Sequence, residues 1–236
     1  MYTYTGLSWA NSSYPIEDEN ATNLAKLWNI PHIDQSFVPL DSSCFLQNLE
    51  NLKETTGPVV WLYHEPISLI KHVCNLTLSD LLVRDDWRDI WKECNQFCLK
   101  SIAKLGRPVL LIGASCDIVD CDYENIVVGH KSWQRFLASQ AGMITRKGKI
   151  NVKMDDGGSF SFRHCWAAEV VHMSMHENPN INPSKSLTEE IWNIFFFRKQ
   201  LERNNLFYEV HPNVKGNELF AEHMKPVIEN FLKENL

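Results

Sequence analysis

Residues 85–113 read DDWRDIWKECNQFCLKSIAKLGRPVLLIG, and two structural periods meet inside them. Trp87, Ile90, Trp91, Cys94, Phe97, Cys98, Ile102 and Leu105 recur at helical spacing after the acidic pair Asp85-Asp86, and the pattern stops at Gly106. Pro108-Val109-Leu110-Leu111-Ile112-Gly113 then runs apolar without alternation, as a strand does when both of its faces are covered. An amphipathic helix feeding such a strand is the building unit of a parallel α/β sheet.

The same alternation extends in both directions. Upstream, Met1 to Thr5 is a first strand ending in Gly6-Leu7-Ser8, Glu19 to Trp28 a helix facing inward through Ala21, Leu24, Ala25 and Trp28, and His32 to Phe37 a second strand. Phe45 to Lys53 is a short helix, and Pro58 to Tyr63 is another continuous apolar run. Downstream, Ile126 to Val128 is a short strand, and Gly148 to Arg163 alternates around Asp156-Gly157-Gly158 as an inserted β-hairpin would. Ser186-Leu187-Thr188-Glu189 has the form of a capping box opening a helix through Glu202. A last helix follows Pro212-Asn213, with Leu219, Phe220, Val227, Phe231 and Leu232 inward and a kink expected at Pro226. The expectation is one α/β domain over 1–236: a three-layer sandwich with a mostly parallel central sheet, flavodoxin-like, carrying a small β-hairpin insertion.

With 236 residues, of which 44% are hydrophobic, the chain is long enough to bury a core of its own. A formal charge of −6, with Lys and Arg scattered, gives a polyanion no basic stripe to bind, so no nucleic-acid partner is expected. Neither a basic start with an apolar stretch nor a bilayer-length run is present, which points to a cytoplasmic protein without a membrane partner. The seven cysteines, odd in number and irregular in spacing, read as reduced thiols, several of them buried.

Ligands of parallel sheets bind beyond the carboxyl ends of the strands. Three segments fall there: Gly6-Leu7-Ser8, Tyr63-His64-Glu65-Pro66, and Glu209-Val210-His211-Pro212-Asn213 before the final helix. In these the chain resembles the SGNH (GDSL-type) hydrolases. That family carries a Gly-Asp-Ser turn after its first strand, a Gly-x-Asn-Asp turn after a middle strand, and Asp-x-x-His-Pro before a terminal helix. His211-Pro212-Asn213 followed by Gly216 and Leu219-Phe220-Ala221 is the most specific match.

The resemblance implies Ser8 as nucleophile and His211 as the base that takes its proton, since a neutral hydroxyl needs a base within reach to attack an acyl carbon. Leu7 stands where the family has Asp, and Tyr208 stands three before His211, leaving Glu209 as the carboxylate to orient the imidazole or a Ser-His dyad to work without one. In the middle segment Glu65 takes the place of an amide donor. His64 or a protonated Glu65 would then face the acyl oxygen, with Trp9 beside Ser8 as a stacking surface for substrate. The implied activity is an esterase or deacetylase acting, without cofactor, on a small-molecule or glycan ester such as an O-acetylated sugar. The alternatives are a non-catalytic module of the same fold binding a glycan or protein partner, and a transfer chemistry with Glu65 as general base.

His172 and His176, four apart, with His164, Cys165 and Glu169 nearby, would share a helix face as a metal pair can. Without HExxH or a further ligand at diagnostic spacing, no metal site is expected. Asp117, Asp120, Asp122 and Glu124 follow a strand end and read as a solvated loop, while Cys94, Cys98 and most of the eight tryptophans read as core.

Overall fold

The computed structural model describes residues 1–6, 10, 13–36, 44–63, 69–143, 180, 182–209 and 211–236, with 36, 44 and 190–193 described by backbone alone. The two continuous apolar runs become the middle of the sheet: β3 (Val59–Tyr63) and β4 (Val109–Gly113) are buried at every position and lie parallel, Val59 beside Val109 and Tyr63 beside Gly113. β1 (Tyr2–Gly6) flanks β3, β2 (His32–Ser36) flanks β1, and β5 (Ile126–His130) closes the far edge. The order β2-β1-β3-β4-β5, parallel throughout, is a doubly wound one and agrees with the fold class read from the sequence.

Period-two alternation splits the strands between two apolar layers. Tyr2, Tyr4, Val60, Leu62, Leu110 and Ile112 face a layer holding Trp28, Trp133, Phe197 and Phe220; Val59, Trp61, Val109 and Leu111 face one holding Phe45, Cys98, Leu99 and Ile102. The first layer is supplied by α1 (Leu24–Trp28), α6 (Trp133–Gln140), α7 (Lys185–Arg203) and α8 (Val214–Asn235). The second draws on α2 (Cys44–Leu52) and the later turns of α5 (Trp87–Ala103), whose first turns instead pack with α3 (Ile70–Cys74) and α4 (Leu78–Leu82) in the first cluster. Trp28 joins distant parts of the chain, its indole N–H donating to the Ala221 carbonyl at 3.1 Å.

Several boundaries differ from those expected. The helix expected from Glu19 begins at Leu24, because Asn23 caps it, its Oδ1 accepting from the Lys26 amide at 2.9 Å, while Ala21 closes a turn on the Asp18 carbonyl. Ser184, not Ser186, caps α7, accepting from the Leu187 amide; the Ser186 hydroxyl instead takes the indole N–H of Trp87 at 3.1 Å. α5 ends at Ala103 rather than Leu105, and α8 continues through Pro226 to Asn235. α3, α4, α6 and a two-residue antiparallel ladder, β6 (Phe207–Tyr208) with β7 (His211–Pro212), were not anticipated. The expected hairpin at 148–163 and the His172–His176 pair lie outside the described residues. Among the described residues no helix is long and apolar enough to cross a membrane.

Candidate functional site

From β1 the chain crosses outward to β2 and returns on the other side as β3, so the winding reverses between β1 and β3, and doubly wound sheets bind ligands beyond the carboxyl ends of the strands at such a reversal. Gly6 closes β1 at φ 156°. A Cβ there would stand 2.5 Å from the Ala10 Cβ and 2.7 Å from the Leu62 carbonyl oxygen, so glycine alone lets the chain leave β1 pressed against β3. Tyr4 reinforces this exit, its hydroxyl donating to the Ala10 carbonyl at 3.2 Å. Ser8 and Trp9 follow two and three residues after Gly6, and His64 and Glu65 follow directly after Tyr63. All four lie outside the described residues, as two short segments that start from neighbouring strand ends.

Asn48 of α2 reaches the same end of β1. Its side chain is 1% exposed, its Nδ2 donates to the Gly6 carbonyl at 3.4 Å, and its Oδ1 has no hydrogen-bond partner among the described residues. A buried amide oxygen left open is costly. The sequence carries a signal for it, because Asn48 interrupts the apolar stripe Phe45, Leu49, Leu52 of a short helix.

The start of α8 stands at this rim. Trp133 opens α6 just past the carboxyl end of β5; its indole N–H donates to the Gly216 carbonyl at 3.4 Å and its ring stacks on Phe220 at 4.9 Å. Asn213 caps α8 by accepting from the Gly216 amide at 2.9 Å. Just before that cap, His211 pairs across the ladder with Tyr208, and Glu209 occupies the intervening turn, exposed, at a left-handed φ of 52°. Glu209 makes no hydrogen bond or ion pair among the described residues.

Tyr14 holds His211 from the other end of the chain. Its ring lies 3.9 Å from the imidazole, 18° from parallel, and its backbone N–H donates to the Pro212 carbonyl at 3.0 Å. Stacking fixes the plane of the imidazole while both ring nitrogens stay at the edge, where hydrogen bonds form. Burial raises the Tyr14 hydroxyl above its ordinary range. Ser13 and Thr22 exchange two bonds, Ser13 N–H to the Thr22 carbonyl at 3.0 Å and Thr22 N–H to the Ser13 hydroxyl at 3.2 Å. The Asn217 side chain donates to the same Thr22 carbonyl at 2.6 Å. The segment that begins five residues after Ser8 is thereby strapped to the first turn of α8. No sequence pattern announced Tyr14, because its partner lies nearly two hundred residues away.

The acidic stretch after β4 divides. Asp120, Asp122 and Glu124 are exposed, as a solvated loop requires, but Asp117 is 7% exposed and grips the Arg135 guanidinium with both carboxylate oxygens, one bond being 2.9 Å from Nε. For Asp117 the solvated reading is therefore corrected: a fork-to-fork ion pair with α6 holds it inside.

No family model matches the chain, and no curated protein sequence matches it. Among solved structures, the crystal structure of protein YXIM from Bacillus subtilis is similar to 97% of this chain and to 56% of its own length, at 12% identity and a TM-score of 0.43. The chain thus spans just over half of that protein.

Proposed function

We propose that the chain is a serine hydrolase of the SGNH type, acting on a small ester such as an O-acetylated sugar. The observation that supports this most is the clasp of Tyr14 on His211 and Pro212, which draws the segment following Ser8 and the segment carrying His211 to one rim. Ser8 Oγ attacks the acyl carbon as the His211 imidazole takes its proton, giving a tetrahedral oxyanion. Collapse breaks the ester C–O bond, and the alkoxide leaves with the proton from the imidazolium. Water, deprotonated by His211, then attacks the acyl-serine and releases the carboxylate. His64 or a protonated Glu65 faces the oxyanion; Glu209 orients the imidazole if its exposed side chain folds back, and otherwise Ser8 and His211 act as a dyad.

Hydrolysis of aryl acetates and O-acetylated sugars by wild type and Ser8→Ala tests the reading. A fall of about 10³-fold or more with the fold intact is expected, and equal turnover in the variant removes it. A second reading, a non-catalytic module binding a glycan or protein partner, is favoured by Glu65, since an ionised carboxylate in the donor's place would repel the oxyanion. Glycan binding by a wild type that neither turns over esters nor takes a fluorophosphonate label would select it.

A further inference from the structure

α3 ends on Cys74, where Asn75 at a φ of 54° turns the chain back toward α4, and the inward stripe of α5 carries Cys94. Both cysteines are free thiols, and their sulfurs stand 3.9 Å apart. Cys74 is half-buried and Cys94 is 2% exposed, so one thiol of the pair meets solvent and the other waits behind it. The Cys74 thiol also lies 3.8 Å from a carboxylate oxygen of Glu93, to which it donates. A disulfide spans about 2.05 Å between sulfurs. Closing the pair therefore takes a movement of the sulfurs of about 2 Å.

We propose that Cys74 and Cys94 form a reversible redox pair, oxidised to an intramolecular disulfide by a small disulfide of the glutathione class. The Cys74 thiolate attacks one sulfur of glutathione disulfide, forming a protein–glutathione bond and releasing one glutathione thiolate, which takes up the proton that Cys74 lost. Cys94 then gives up its proton and attacks the Cys74 sulfur, and the second glutathione leaves as a thiol. Two protein thiols are oxidised by two electrons and one glutathione disulfide is reduced to two thiols. An excess of a small thiol runs the sequence backward. Burial raises both thiols, so the reaction depends on their contact rather than on a standing thiolate. The bond would tie α3, which starts just after the 64–68 segment leaving β3, to the long helix α5.

The test incubates the folded protein with glutathione disulfide, blocks remaining thiols with N-ethylmaleimide under denaturing conditions, and maps the peptides. Expected are loss of two alkylatable thiols, a peptide joining Cys74 to Cys94, and recovery of both thiols with dithiothreitol. Cys94→Ser should hold a lasting glutathione adduct at Cys74, and Cys74→Ser should leave Cys94 alkylatable, both with wild-type circular dichroism. A wild type whose Cys74 stays alkylatable throughout, or keeps glutathione without passing the bond to Cys94, overturns the proposal.

Discussion

The carboxyl ends of β4 and β1 stand on one rim and are built in opposite ways. Past β4 most polar groups engage one another, the buried Oε1 of Gln134 excepted: the Ala114 amide donates to the Tyr63 carbonyl, the Gln134 amide to the Ala114 carbonyl and the Ile118 amide to the Lys131 carbonyl, while Asp117 grips Arg135. A Cβ on Gly113 would come within 2.0 Å of the Lys131 oxygen, so the turn is packed shut. Past β1 the Gly6 carbonyl takes a long 3.4 Å bond from Asn48, and the buried Oδ1 atoms of Asn48 and Asn217 lack partners among the described residues. The β4 end is thus closed by an ion pair and short backbone bonds, whereas the described residues at the β1 end are joined by longer, sparser ones.

Substitutions on each side should separate in kind. His211→Gln, which keeps the bulk against Tyr14, should lower ester turnover about 10³-fold or more while Tm moves by about 2 °C or less. A matching loss of stability would move His211 to the structural side. Gly6→Val should cost about 4 kcal/mol in urea unfolding, because the new side chain meets the Leu62 carbonyl and the Ala10 Cβ; a cost within about 1 kcal/mol would mean that the tight exit from β1 is dispensable.

The end of β5 adds a pH dependence. Burial, and then His223, pull His130 down to about 4, in a nest with Phe136 and Phe220. The unfolded chain holds this proton at an ordinary pKa of about 6.5, so it binds more protons than the folded one between those values. Stability is full above about pH 6.5 and falls by up to about 3 kcal/mol as pH drops toward 4. His130→Phe should flatten that part of a urea-unfolding profile, and an unchanged slope would remove His130 as its source. Smallest is Asp117→Ala, expected to cost about 2 kcal/mol with turnover per folded molecule unchanged; lost turnover at wild-type stability would bring the β4 end into the site.

How much of this was legible in the sequence follows from range. β3 and β4 could be read because a strand covered on both faces has to be apolar at every position, and α5 because five turns of one stripe cannot be mistaken. α3, α4 and α1 are five residues each, too short to establish a period, and Ser184 and Ser186 offer the same hydroxyl, so only the indole of Trp87 decides which of them caps. Asp117 read as solvent-facing because Arg135 is eighteen residues away. His211 was visible through Pro212 and Asn213, which mark a helix start, whereas the ring of Tyr14 that holds it belongs to a contact between chain ends that no local pattern encodes.

A crystal structure resolving both ends of the chain offers the most direct test, through the separation of Ser8 Oγ and the nearer ring nitrogen of His211. Hydrogen-bond reach, about 2.6–3.2 Å or slightly looser without ligand, is expected. Groups facing opposite sides of the rim, too far apart for a water to bridge, would contradict it.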